Sequence, residues 1–215
     1  MTSTPLHLSR IHFPVRTLGP GARIGIWFQG CSIRCLGCIS MDTWDPRAGR
    51  TTVAAVLDAI RPWLAEADGI TISGGEPFDQ PEALLQLVEA LRGAQGGDIL
   101  VYSGHPLEAL PLHRFAGLID AVVADPFDAG AGQTLSLRGS DNQRLVPLTV
   151  LGREHYGEDA RLRPTAETLE IMFDDETGEV FLAGIPRPGD LRRLARLLAA
   201  AGHHAVTTED ARHTP

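Results

Sequence analysis

From residue 23 to residue 124, short apolar and β-branched runs alternate with stretches of helical spacing. That alternation restricts the possible folds more than any other feature of the chain. Arg23–Phe28 (RIGIWF), Gly69–Ser73 (GITIS), Asp98–Tyr102 (DILVY) and Leu118–Ala124 (LIDAVVA) read as strands. After the first, Val53, Val56, Leu57, Ile60 and Leu64 share one helical face, with Thr51 or Thr52 as cap and Pro62 shortening the helix. After the second, Leu84, Leu85, Val88 and Leu91 do the same, with Asp79 and Glu82 as a capping-box signal around Pro81. Strands alternating with amphipathic helices imply parallel strands joined by right-handed crossovers. In such sheets the ligand lies beyond the carboxyl ends of the strands.

Every unusual motif falls at those ends. The first strand runs into Cys31-Ser32-Ile33-Arg34-Cys35-Leu36-Gly37-Cys38, which holds all three cysteines of the chain. The second runs into Gly74-Gly75-Glu76-Pro77, the third into Ser103-Gly104 and the fourth into Asp125. A C-x3-C-x2-C loop offers thiolates to three corners of a four-iron cubane and leaves one iron open to a substrate. Gly30 and Gly37 let the backbone curl round a bulky group. The loop also fits a zinc site with a distant fourth ligand such as His12, His105 or His155. The glycine pair allows positive φ and close approach by a ligand, and Glu76 can accept from an ammonium group. On their own these residues also fit an ordinary turn, Ser103 a turn hydroxyl, Asp125 a capping carboxylate and Arg138 a solvated charge.

With these motifs in place, the chain resembles the radical S-adenosylmethionine (SAM) superfamily. The resemblance rests on the cysteine loop after strand one and Gly74–Pro77 after strand two. It narrows through Gly19-Pro20-Gly21, Gln29-Gly30-Cys31 and Asp42-Thr43-Trp44, which are similar to the activating enzymes of glycyl radical proteins. Val101–Gly104 and Arg138-Gly139-Ser140-Asp141-Asn142-Gln143-Arg144 are similar to the activase of anaerobic ribonucleotide reductase. These pieces span roughly residues 10–150. The resemblance implies that Cys31, Cys35 and Cys38 ligate a [4Fe-4S] cluster. It implies that Gly74, Gly75 and Glu76 hold the methionine end of SAM. It places Ser103, Asp125, Arg138 and Asn142 at SAM or substrate. An electron from the cluster would cleave SAM to methionine and a 5′-deoxyadenosyl radical, which takes a hydrogen atom from a substrate. The partners implied are a glycyl radical enzyme and an electron donor such as flavodoxin or ferredoxin.

The expected fold is α/β: a partial (β/α) barrel with parallel strands, extended by a C-terminal β-hairpin plus helix. Residues 1–150 would form the radical SAM core and 151–215 an extension packed on it. In the extension, Glu170–Phe173 and Glu179–Ile185 read as a hairpin across Asp174–Gly178, and Leu191, Leu194, Leu197 and Leu198 as the stripe of a last helix. A net charge of -8 argues against general nucleic-acid binding. No apolar run approaches the roughly 20 residues of a membrane span, and the N-terminus lacks the pattern of a signal peptide. The cytoplasm is the expected compartment, where clustered thiols serve as metal ligands. Two other functions fit the same residues: a radical SAM enzyme acting directly on a small molecule or peptide, and a non-catalytic iron–sulfur or zinc module.

Overall fold

The computed structural model describes residues 4–157, 169–173, 180–187 and 189–203. Seven strands form one sheet: β1 (Pro5–Val15), β2 (Arg23–Phe28), β3 (Arg50–Thr52), β4 (Gly69–Gly74), β5 (Asp98–Tyr102), β6 (Ala121–Ala124) and β7 (Arg144–Pro147). Their order is β3-β1-β2-β4-β5-β6-β7. The central strands β2, β4, β5 and β6 are parallel, as the alternation requires. All six residues of β2 are buried, the signature of a strand covered on both faces.

The edges differ from expectation. β1 runs antiparallel to both β2 and β3, and β7 antiparallel to β6. The architecture is a mixed α/β sheet with a parallel centre, and among the described residues its two edges do not pair. β1 carries bulges between Leu8 and Arg10 and between His12 and Val15, so its inward face changes phase along the strand and hides the two-residue period. Arg144–Leu151, which reads as one strand, divides into β7 and α3 (Val150–Tyr156). Thr149 makes the break by capping α3, its hydroxyl accepting the Gly152 N–H at 3.0 Å.

Helix α1 (Val53–Ile60) starts at Thr52, whose hydroxyl accepts the Ala55 N–H, and gives way to a 3-10 turn at Pro62. Helix α2 (Pro81–Ala94) presents Leu84, Leu87, Val88 and Leu91 to the core. The expected capping box does not form: Gln80 is the N-cap, and no side chain caps the helix. Asp79 is engaged elsewhere, as described below. Between β5 and β6 two short 3-10 turns replace a crossover helix, each preceded by a proline, Pro106 and Pro111.

The strand starts carry a buried ionic network. Arg23 donates to both carboxylate oxygens of Asp98, at 3.0 and 2.8 Å, and to Thr71. Tyr156 and His155 of α3 complete the shell of Asp98. Burial by itself would raise the Asp98 pKa, but the Arg23 bonds and charge, with Tyr156 and His155, hold it below the ordinary carboxylate range.

The C-terminal hairpin is present as β8 (Leu169–Phe173) and β9 (Val180–Gly184), followed by α4 (Asp190–Ala200). The turn expected at Asp174–Gly178 lies outside the described residues. Met172 and Ala183 are buried against Val15, Leu18 and Trp27, so the hairpin packs on β1 and β2. No helix among the described residues is long and apolar enough to cross a membrane.

Candidate functional site

The carboxyl ends of β2, β4 and β5 open on one cavity of about 1130 Å³. Cys31, Cys35 and Cys38 line it, together with Ser73–Glu76 at the end of β4 and Tyr102–Gly104 at the end of β5. The strand-end argument therefore brings three of its four motifs to one place.

The cysteine loop is shaped by positive φ at Gly30 (97°), Arg34 (53°) and Gly37 (77°). It leaves the Cys31 thiol accepting the Arg34 N–H at 3.5 Å and the Cys38 thiol accepting the Ser40 N–H at 3.4 Å. Burial raises all three thiol pKa values, with Cys38 pushed up to about 11. The Trp44 side chain opposes that rise at Cys38 and lines the cavity. Three half-buried thiols on one curled loop fit a group that brings its own positive charge. Among the described residues no three His, Cys, Asp or Glu side chains converge as a single ion would need. A cubane makes no such demand, since each thiolate takes a different iron.

Gly74 takes the positive φ expected of it, 103°, and both glycines also admit close approach by backbone. A Cβ at Gly75 would stand 2.0 Å from the Gly30 carbonyl oxygen, and one at Gly74 2.4 Å from the Phe28 carbonyl oxygen. The glycines thus let the β4 loop press against the cysteine loop. Glu76 N–H donates to the Gly30 carbonyl at 2.8 Å and seals that contact. Gly75→Ala is expected to force the loops apart at a cost of about 1–3 kcal/mol. Titration of SAM into the reconstituted protein should show affinity lowered about tenfold or more.

Glu76 is fully buried. One carboxylate oxygen accepts the Phe78 N–H and the Ser103 hydroxyl, and the other accepts the Gly104 N–H. Burial raises its pKa, and these donors oppose the rise. Its carboxylate joins the β4 and β5 loops, and the residue belongs to the cavity wall. Ser103 is both a turn hydroxyl, accepting the His105 N–H at 3.1 Å, and a partner of Glu76.

Asp125, Arg138 and Asn142 do not line the cavity. Asp125 sits at φ 81° and pairs with Arg144 at 2.6 and 2.8 Å, so the fourth strand end is closed by an ion pair. Arg138 is buried and donates to the Ser136 carbonyl, and Asn142 donates to the Pro126 carbonyl. The same segment reaches the cavity through Gly139 and Gln143 instead.

The C-terminal elements supply what sequence reasoning missed. Phe181 of β9 lines the cavity and meets Trp27 and His12 edge to face, at 6.2 and 5.6 Å between ring centroids. The Arg10 guanidinium lies 5.0 Å from the Phe181 ring centre and also pairs with Asp42. Glu170 accepts the Arg16 N–H, and the Pro186 carbonyl accepts from Gln133. Leu191, Arg192 and His203 add to the wall.

A family profile described as a 4Fe-4S single cluster domain matches residues 17–146, which takes in the cysteine loop, the β4 loop and β7. The chain belongs to the radical SAM branch of that family. The anaerobic ribonucleoside-triphosphate reductase-activating protein of Escherichia coli K12 is 32% identical over 143 residues, covering 61% of this chain and 93% of that protein. The pyruvate formate-lyase-activating enzyme of Clostridium pasteurianum is 37% identical over 76 residues, 33% of this chain and 32% of that enzyme. Among solved structures, QueE from Escherichia coli aligns with a TM-score of 0.44 at 18% identity, over 70% of this chain and 67% of that one. This radical SAM protein is an oxidoreductase of the activating-enzyme type, and its cofactors are a [4Fe-4S] cluster and SAM. The profile match ends at residue 146, so the hairpin and α4, which wall one side of the cavity, lie beyond it.

Proposed function

We propose that this radical SAM enzyme installs a glycyl radical on a partner protein such as an anaerobic ribonucleotide reductase. The observation that carries the reading is the match across 93% of the Escherichia coli activating protein, joined to a cavity that gathers the matching motifs. Cys31, Cys35 and Cys38 hold the cluster. Main chain at Gly74 and Gly75, with Glu76 and Ser103, receives the methionine end of SAM. When bound and reduced, the cluster supplies the electron that cleaves SAM and yields the 5′-deoxyadenosyl radical. The chain itself orients SAM and shields the site: Trp27, Tyr102 and Phe181 give the cavity apolar walls that exclude water. Flavodoxin or ferredoxin is the expected electron donor, and a reducing cytoplasm the expected setting. The parallel centre of the sheet would be the wall of a partial barrel, with the hairpin and α4 as an appended layer.

The test is electron paramagnetic resonance on a mixture of the reduced, SAM-loaded protein with a candidate reductase. A glycyl radical doublet on the reductase is expected. Efficient SAM cleavage with no doublet on any glycyl radical enzyme would reject the activase reading.

One observation favours a second reading, direct action on a small molecule or peptide. The hairpin and α4 narrow the cavity with residues outside the family match. Phe181→Ala tests whether this wall serves the substrate, whichever it is. It removes the ring that joins Trp27, His12 and Arg10, so hydrogen transfer to the true substrate should fall at least tenfold. Cleavage of SAM without substrate should change less than twofold, because the ring contacts of Phe181 run to His12, Trp27 and Arg10. Comparing 5′-deoxyadenosine formation with product yield checks this.

A further inference from the structure

Asp79 follows Glu76 by three residues and stands in the turn before α2. Its side chain is 27% exposed and caps no helix. One oxygen accepts the Ser32 N–H at 2.8 Å. The other accepts the Ser32 hydroxyl at 2.9 Å and lies 3.2 Å from His105 Nε2. Ser32 directly follows Cys31. His105 N–H donates to the Ser103 hydroxyl, which donates to Glu76. A circuit results, running Cys31–Ser32–Asp79–His105–Ser103–Glu76 and closing where the Glu76 N–H donates to the carbonyl of Gly30, the residue before Cys31. It passes through the loops after β2, β4 and β5, the three that build the cavity. Ser32, Asp79 and His105 themselves do not line the cavity.

We propose that Asp79 is the positioning residue of the cluster site. It fixes the Cys31 corner of the loop against the loop that receives SAM. The inference rests on the cluster reading above. Two features make the clamp specific. Both donors come from the residue next to Cys31, and both bonds are charge-assisted, hence stronger than those of a neutral acceptor. A carboxylate also accepts at both oxygens, whereas an amide presents one acceptor and one donor group. Asn at this position therefore keeps the shape but loses the charge assistance of both Ser32 bonds, and its amide group can meet the Ser32 hydroxyl only as a donor. The clamp binds outside the cavity, so its effect reaches the cofactors only through Cys31 and Glu76.

The experiment compares the full-length wild type with Asp79→Asn, Asp79→Glu and Ser32→Ala after anaerobic reconstitution with iron and sulfide. Four quantities are read: iron release to a chelator, the paramagnetic resonance spectrum of the reduced cluster, its midpoint potential, and melting of the metal-free chain. Asp79→Asn should release iron about tenfold faster, with an altered spectrum and a shifted potential. Ser32→Ala, which keeps the backbone bond, should fall between it and wild type, and Asp79→Glu should recover part of the loss. Melting of the metal-free chain should be unchanged. Iron release, spectrum and potential identical to wild type in Asp79→Asn would overturn the inference. So would metal-free melting that falls in step with iron release, since the residue would then only support the fold. A wild type that takes up no cluster would instead overturn the functional reading on which the inference stands.

Discussion

Cys35→Ala is expected to abolish the brown four-iron chromophore and to reduce SAM cleavage below detection. All three thiols line one cavity, and all sit on a single curled loop. No other cysteine exists in the chain to substitute. A cubane with an open iron needs three protein thiolates. Two leave it with a second exposed iron and a weakened hold. The loss should be chemical rather than structural. Cys35 is only partly buried, so the metal-free variant should melt close to the metal-free wild type, within about 0.5 kcal/mol. Absorbance near the charge-transfer bands, iron analysis and 5′-deoxyadenosine assay measure the first effect, and thermal melting the second. A Cys35→Ala protein that retained a four-iron spectrum would remove the loop from the account.

The largest effect on stability is expected at the opposite edge of the sheet. Asp98→Asn leaves the Arg23 guanidinium buried, at 0% exposure, without its carboxylate. Breaking a buried pair from one side costs about 3–5 kcal/mol, against a total stability of about 5–15 kcal/mol for ordinary proteins. In a chain of this size that corresponds to a fall in Tm of roughly 10 °C. The pH dependence has a definite sign. The folded pKa of Asp98 lies below its unfolded value, because Arg23, Tyr156 and His155 outweigh burial. Its contribution is therefore present above the ordinary aspartate range and lost as pH falls through the folded pKa. Wild-type stability should drop in acid, and Asp98→Asn should lose that part of the dependence. Denaturant titrations of both proteins between neutral and acidic pH measure it. Equal stability at neutral pH would contradict the network as a fold-holding element.

The central strands and the cysteine loop were legible in the sequence because their signals are local. Arg23–Phe28 and Gly69–Ser73 are short apolar runs, and Cys31–Cys38 needs only its own spacing. β1 was hidden because its alternation changes phase at the bulge, from Leu6 and Leu8 to Ile11, Phe13 and Val15, which breaks the two-residue period across the strand. Asp79 gave a genuine capping pattern with Glu82, yet the Ser32 N–H and hydroxyl offered stronger partners than the first turn of α2. That competition depends on a residue 47 positions away. Gly74 and Gly75 read as sites of close approach, and the backbone of Phe28 and Gly30 does press on them, while both glycines also line the cavity. Asp125 stands outside the cavity because its partner, Arg144, arrives on an antiparallel strand that the βα alternation does not anticipate. The Phe181 contacts join β9 to β1 and β2 across most of the chain, and no local spacing carries that information.

The cysteine loop and the Gly74–Glu76 loop line one cavity, where we propose that they act together on SAM. The most direct test is to reconstitute the full-length protein with iron and sulfide under strict anaerobiosis, reduce it with dithionite, add SAM, and quantify 5′-deoxyadenosine and methionine. Equimolar formation of both is expected in the wild type, strongly reduced in Gly75→Ala and absent in Cys35→Ala. A wild-type protein that carries a reduced four-iron cluster yet leaves SAM intact would contradict the account.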